Sequence, residues 1–500
     1  MSKFIIKNSK VDIIFLAEGT YPFVRGGVSS WIHQIISSLS EYSFGIIFIG
    51  SKKEDYGEIL YELPPNLLHL EVHYLFDDIQ NKPIYKKGNK KAFKAIKELH
   101  ESFDKESIKL HDMIKEISFF EKKLTYQDFL YSKRSWKYIS LMYEKNAPDI
   151  SFVDYFWTVR NIHAPIWKVA KVARDMPKCK ILHSPSTGYA GLLGSLASIY
   201  FDTPFILTEH GIYTKERKID LLSAKWIKFS KSSLIKEKVE ELNYVKKMWV
   251  NFFEQIGKFS YSQAKYIISL YKETQKVQIS YGADKNRCIV IPNGIDLDRF
   301  NSLVFKRESK IPQVVTLIGR VVPIKDIKTF IRAIAIAKLS IANIVGLIVG
   351  PTDEDKEYAK ECFEMVKLFN LNQNIQFLGH RRVDDILPKS GILTLTSISE
   401  GMPLVVLEAF AAGVVCVTTD VGSCKDLIYG ALDQRDIEIS KAGEVVPIAD
   451  SSALAKSYIK FLTNERLYKQ AQKSALTRVK LYYQDKMFLN KYRKIYKEFI

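Results

Sequence analysis

The chain has 500 residues, 47% of them hydrophobic and 26% charged, which is too long for one ordinary core and too apolar for disorder, so two globular domains are expected. Its formal net charge of +18, from 74 Lys and Arg against 56 Asp and Glu, favours anionic partners: nucleoside diphosphates, acidic lipid headgroups or nucleic acid. Charge alone does not choose among these, and a lysine-rich codon bias gives the same excess.

The five cysteines are odd in number and form no C-x-x-C pair. That argues against a disulfide framework or a zinc site and fits a reducing cytosol. The apolar stretch at 13–17 is too short for a secretory segment, and the charge-free stretch at 188–201 is too short to span a bilayer. A soluble cytoplasmic protein is therefore expected.

Residues 11–17, Val-Asp-Ile-Ile-Phe-Leu-Ala, predict a buried strand. Residues 18–22 break it, and Val28, Trp31, Ile32, Ile35, Ile36 and Leu39 then recur at helical spacing. With a strand at 45–49, this opens a doubly wound α/β domain. A Lys-rich, Gly-poor helical insertion is predicted at about 82–147. Strands are predicted at 150–153, 180–183, 204–208 and 288–291, and Pro292-Asn293-Gly294 is turn chemistry that closes the first domain near residue 300. Residues 301–312 read as a linker. A second αβ series starts with a strand at 314–318 and continues at 345–349, 375–378, 392–396 and 414–418, as a parallel sheet demands. The end of the chain, 464–500, predicts helix and is strongly basic.

Four sequence pieces carry chemistry. The first is Glu400-Gly401-Met402-Pro403-Leu404, with Glu408 eight residues after Glu400. Gly401 allows a tight turn, Pro403 suits a first helical turn, and the helix N-terminus behind them suits a phosphate. Glu400 can hold hydroxyls of a sugar, and Glu408 those of a ribose. The second is Gly319-Arg320 followed by Lys325, two cations after a predicted strand. They can neutralise a leaving diphosphate without a metal. The third is Glu18 with Arg25-Gly26-Gly27, where paired glycines before a helix let backbone approach a ligand. It is not G-x-G-x-x-G, so a dinucleotide fingerprint is absent. The fourth is His210, at another strand end. Taken singly, each piece has an ordinary role, such as a capping carboxylate, a solvated cation, a βα turn or a packed histidine. Asp296-Leu297-Asp298 and Asp353-Glu354-Asp355 match a metal-binding D-x-D but lie in charged turns, so no metal is expected.

In order and spacing, these four pieces resemble glycosyltransferase family 4, the retaining GT-B enzymes. The resemblance covers nearly the whole chain and implies two Rossmann-like domains facing a cleft. Residues 1–300 would form the acceptor domain and 301–482 the nucleotide-sugar donor domain, with a helix at 483–500 returning to the first. It further implies that Gly26, Gly27, Gly319, Arg320, Lys325, Glu400, Gly401, Met402, Pro403, Leu404 and Glu408 bind the donor. Glu18, Arg25 and His210 would line the acceptor side, and His210, Arg320, Lys325 and Glu400 would serve catalysis. The family's usual His-Asp pair is His210-Gly211 here, so no role passes to residue 211.

The N-terminal half, through residues 18–31, 208–213 and the helical insertion, is similar to the family's members in Pel-type exopolysaccharide synthesis. That likeness implies a UDP-sugar donor, with UDP-glucose preferred, a polysaccharide acceptor, and an inner-membrane assembly as partner. No cofactor and no nucleic acid is implied. A basic tail can meet lipid or simply pack on the first domain. An epimerase or phosphorylase of the same fold, or a non-catalytic scaffold of a membrane synthase, stays open at this point.

Overall fold

The run at 11–17 forms the centre of a long strand because helices cover both faces of its sheet, and Ile13 to Ala17 are fully buried. The computed structural model describes residues 3–7, 10–77, 85–102, 125–147, 151–223, 244–305 and 310–500. It divides the chain into two units. One comprises Met1–Ser269, Gln275–Ile289 and Ile495–Ile500, the other Leu270–Thr274 and Val290–Lys494.

The first sheet contains β1 (Lys3–Ile6), β2 (Lys10–Glu18), β3 (Phe44–Gly50), β4 (Leu67–Tyr74), β5 (Lys178–Ser184), β6 (Phe205–Glu209), β7 (Tyr266–Ser269) and β8 (Cys288–Val290). Their order is β1-β4-β3-β2-β5-β6-β7-β8. From β4 across to β7 the pairing is parallel, and β1 joins the β4 edge antiparallel. The chain fills one side of β2 first and then the other, so the strand order reverses between β2 and β5.

The second sheet is parallel throughout: β9 (Val314–Ile318), β10 (Val345–Val349), β11 (Ile375–Gly379), β12 (Ile392–Leu395), β13 (Val415–Thr419) and β14 (Gly443–Val446). Its order is β11-β10-β9-β12-β13-β14, which puts the reversal between β9 and β12. These are the two strands that the strongest sequence motifs follow.

The insertion appears as helices Lys90–Ser102, Tyr126–Tyr131 and Lys133–Asn146. Thr125 caps the second through its hydroxyl, which accepts from Asp128 N, and Ser132 caps the third. Phe93, Ile96, Phe129, Tyr138 and Ile139 close a small core of their own with Tyr155 and Val159.

Two expectations need correction. No strand forms at 151–153, since Phe152 opens a 24-residue helix, Phe152–Asp175; residues 148–150 lie outside the described set. A four-residue apolar window has no readable period, whereas Tyr155, Val159, Ile162, Val169 and Ala173 beyond it repeat at helical spacing and are buried. The linker at 301–312 likewise begins as helix Leu297–Phe305, with Phe300 and Leu303 buried. Residues 306–309 are outside the described set.

Strands β1, β4, β7 and β14 were not anticipated. In β4 the polar residues His69, Glu71 and His73 occupy alternate positions, which hides an interior strand. The others are four residues long, too short to show a pattern.

The tail forms helices Glu465–Tyr482 and Asp485–Lys497. Residues Ile495–Ile500 belong to the first unit, where Tyr496 OH lies 2.8 Å from His183 Nδ1 and Tyr266 OH donates to Glu498 Oε2 at 2.6 Å. Among the described residues no helix is long and apolar enough to cross a membrane.

Candidate functional site

In an open parallel sheet, ligands bind beyond the C-terminal ends of the strands where the order reverses. In the second unit those ends are the loops after β9 and β12. Gly319 N donates to Val349 O at 2.9 Å and Val321 N to Pro351 O at 2.9 Å, which anchors the first loop to the end of β10. The loop then turns through Pro323–Lys325 into helix Ile327–Lys338, capped by Asp326, whose Oδ1 accepts from Thr329 N at 3.2 Å.

The loop after β12 is sewn to it. Ile398 N donates to Ile324 O at 2.9 Å, and Thr396 Oγ1 donates to Lys325 O at 2.7 Å. Lys325 Nζ pairs with Glu400 Oε1, which also accepts from Ser397 Oγ at 2.6 Å. Both charged side chains are mostly enclosed, at 20% and 14% exposure, so solvent screens the pair less than a surface one.

A third loop, after β13, supports the second from behind. Thr419 Oγ1 donates to Ser397 O at 2.7 Å, and Ser423 N donates to Gly401 O at 2.9 Å. Here the sequence reading needs adjustment. The tight turn read at Gly401 leans on a second glycine, Gly422, which is left-handed at φ +53° and where a Cβ would stand 2.2 Å from Gly401 O. Pro403 is the N-cap of helix Leu404–Ala411 rather than part of its first turn. Met402 is buried, and its Sδ lies 3.3 Å from Asn293 N. Sequence reasoning missed Ser397, Thr419 and Gly422. The turn signal Asp420-Val421-Gly422-Ser423 at a strand end was present but had no chemistry to mark it.

Arg320 is exposed and pairs with Glu354. Glu408 sits on helix Leu404–Ala411, where burial pushes its carboxyl up, the positive charge of Arg299 opposes this, and the negative charge of Asp384 adds to it. Arg299 itself donates to Asp384 Oδ1 through Nε and Nη2, at 3.1 and 2.9 Å. The D-x-D look-alikes cap helices: Asp296 Oδ1 accepts from Asp298 N, and Asp355 Oδ1 from Tyr358 N, both at 3.0 Å.

In the first unit, Glu18 ends β2 and is engaged inside the fold. Its Oε2 accepts from Ala190 N and its Oε1 from Tyr213 OH, both at 3.0 Å. It thus fills the N-terminus of helix Tyr189–Phe201, and burial pushes its carboxyl up. A Cβ at Gly188 would stand 2.5 Å from that carboxylate. Arg25, Gly26 and Gly27 are exposed at the start of helix Gly27–Ser38. A Cβ at either glycine would meet nothing within 4 Å, so packing does not require glycine there.

His210 follows β6 with its ring edge-on to Trp31 at 4.7 Å. Burial lowers its pKa to about 3, which keeps it neutral, and its Nε2 has no hydrogen-bond partner among the described residues.

Glu209, unremarked in the sequence, is fully buried beside His210. Tyr261 OH, Gln278 Nε2 and Thr187 Oγ1 donate to it at 2.7, 3.0 and 3.2 Å. Burial nevertheless raises its pKa to about 7. The folded state therefore holds a proton that the unfolded chain has already released. This contribution to stability is complete below the ordinary carboxylate range and is lost as pH rises to about 7, on the order of 3 kcal/mol in all. Glu209→Gln is expected to lack that slope. Denaturant unfolding of both proteins between pH 5 and pH 8 checks it, and parallel pH profiles would refute it.

The fold defines the class. It matches the GT-B structures of Anabaena Alr3699/HepE in complex with UDP and glucose (TM-score 0.59, 15% identity, 97% of this chain and 99% of that one) and of sucrose-phosphate synthase from Thermosynechococcus elongatus (TM-score 0.59, 15% identity, 97% and 98%).

The family follows from sequence: the chain belongs to the family described as "Domain of unknown function (DUF3492)", matched over residues 11–286, and residues 300–478 match the family described as "Glycosyl transferases group 1". It is 30% identical over 191 residues to the UDP-Gal:alpha-D-GlcNAc-diphosphoundecaprenol alpha-1,3-galactosyltransferase of Escherichia coli, covering 35% of this chain and 47% of that protein. It is 25% identical over 300 residues to the N,N'-diacetylbacillosaminyl-diphospho-undecaprenol alpha-1,3-N-acetylgalactosaminyltransferase of Campylobacter jejuni, covering 56% and 74%. The chain thus spans about half the length of the first of these relatives.

Proposed function

We propose that the chain is a retaining hexosyltransferase that moves a sugar, glucose being the first candidate, from a UDP-sugar to a growing exopolysaccharide. The observation that carries this reading is the Lys325–Glu400 pair at the strand reversal of the second sheet, with Arg320 on the same loop. Arg320 and Lys325 would neutralise the leaving diphosphate, with Gly319 allowing close approach. Glu400 would hold hydroxyls of the donor sugar, and Glu408 those of the ribose. Gly401, Met402, Pro403 and Leu404 shape the helix N-terminus behind them.

In the first unit, Gly26 and Gly27 would let backbone approach the ligand, and their lack of packing neighbours suits that role. The unpartnered Nε2 of His210 would face the acceptor side with Arg25. Glu18 would act there only indirectly, since both its oxygens are already engaged. Chemistry would proceed on one face of the sugar, with the leaving phosphate taking the acceptor's proton while the protein orients substrates and stabilises charge. No divalent cation is needed if the two cations do this work.

The UDP donor is supported by the UDP-Gal in the name of the Escherichia coli relative and by the UDP and glucose held by the Anabaena protein. The polysaccharide acceptor and an inner-membrane partner assembly rest on the likeness of residues 18–31 and 208–213 to PelF of Pel exopolysaccharide synthesis.

Thermal unfolding with a panel of nucleotide sugars and nucleoside diphosphates, alongside assays of nucleotide release, tests the reading. UDP or a UDP-sugar at 100 times its dissociation constant is expected to stabilise the protein by about 2.7 kcal/mol. A melt that no uridine, adenosine or guanosine diphosphate shifts would sink the donor site.

A further inference from the structure

Both cations of the proposed donor loop have a carboxylate partner, but the two pairs differ in kind. Lys325 and Glu400 are mostly enclosed, and Ser397 Oγ helps hold the carboxylate. Arg320 and Glu354 are 54% and 48% exposed. Their meeting is nevertheless built into the backbone. Gly319 N donates to Val349 O and Val321 N to Pro351 O, which brackets Arg320 between two bonds to the loop that carries Glu354. The approach is so close that a Cβ at Gly350, at φ +153°, would stand 2.0 Å from Gly319 O. On the far side, Asp355 caps helix Lys356–Leu368 and anchors the other end of the Glu354 loop. Glu354 is thus held opposite Arg320 by structure at both ends of its own loop.

An exposed pair of this kind is weak and exchanges readily for a stronger anion, and a diphosphate offers a guanidinium more charge and more acceptor oxygens than a carboxylate does. We propose that Glu354 is a placeholder for the donor's diphosphate. It holds the Arg320 guanidinium while the site is empty and yields it when a nucleoside diphosphate arrives. On release it takes the guanidinium back, which favours departure of the product. The middle residue of a D-x-D look-alike would then act as a counter-anion, with no metal involved. This inference rests on the proposed function, specifically on Arg320 as a diphosphate ligand.

Isothermal titration of UDP into wild type, Glu354→Gln, Arg320→Ala and the double variant tests it, with Glu354→Asp as the conservative control and melting temperatures as a check on folding. Removing a competing exposed carboxylate should tighten UDP about two- to five-fold and lower the turnover limited by product release, while Glu354→Asp stays near wild type. In the Arg320→Ala background, Glu354→Gln should change affinity by less than about 1.5-fold, because the two act through one contact. The proposal is overturned if Glu354→Gln weakens UDP binding or leaves it unchanged. It is also overturned if the tightening persists without Arg320, since that would be a general charge effect. Loss of the parent reading looks different: either wild type binds no nucleoside diphosphate, or Arg320→Ala binds UDP as tightly as wild type does.

Discussion

Lys325→Ala is expected to lower turnover about 10²-fold or more, the scale of losing one oriented charge-stabilising group. Two losses coincide in this variant. The proposed diphosphate loses a neutralising cation, and Glu400 loses the partner that fixes it, keeping only the Ser397 hydroxyl. The loop should survive the change, because the backbone atoms of Ile324 and Lys325 accept the bonds from Ile398 N and Thr396 Oγ1 whatever the side chain is. Arg320→Ala should fall on the same scale. Steady-state nucleotide release, read beside an unchanged melting temperature, checks both variants. Turnover within a few-fold of wild type would show that these cations serve the surface alone.

Arg478→Ala is expected to cost about 3–5 kcal/mol of stability, the cost of stranding one member of a buried ion pair. Arg478 and Asp436 are both fully buried, with Nε to Oδ1 at 2.8 Å. The guanidinium also donates to Ile428 O at 2.9 Å and to Asp436 O and Ile439 O at 3.0 Å. Asp436 in turn accepts from Ala431 N and Leu432 N at 2.9 and 3.2 Å. One arginine therefore closes the turn between helices Cys424–Tyr429 and Gln434–Glu438. Alanine would leave a buried carboxylate without its countercharge and take one donor from each of three carbonyls. Guanidinium unfolding of the full chain measures the loss. A change under about 1 kcal/mol would mean that water replaces the guanidinium.

Arg478 also shows where the basic tail was misread. The sequence counts it among the cations of 464–500, a tail read as meeting lipid or packing on the first domain. The fold takes it into the core of the second unit. Charge counts carry no information on burial, because an arginine is buried only when its partners converge from elsewhere, here residues 428–439. The same limit hid Glu209, whose partners Thr187, Tyr261 and Gln278 are scattered over some ninety positions. Glu18 was seen, but its partners Ala190 and Tyr213 were not, so an engaged carboxylate read as an available one.

By itself the sequence determined the two doubly wound sheets, because short apolar strands separated by amphipathic helices are a local signal that survives without knowledge of the neighbours. It also determined the positions of the loop 319–326 and of the loop-to-helix segment 400–408, since glycine, proline and charge at a strand end are local features. Only the tertiary structure decided that Lys325 faces Glu400, that Arg320 faces Glu354, and that Thr419, Gly422 and Ser423 support the Glu400 loop from behind. Each of those contacts joins the ends of different strands, and which ends become neighbours is set by strand order across the sheet, a long-range packing outcome that no local window contains.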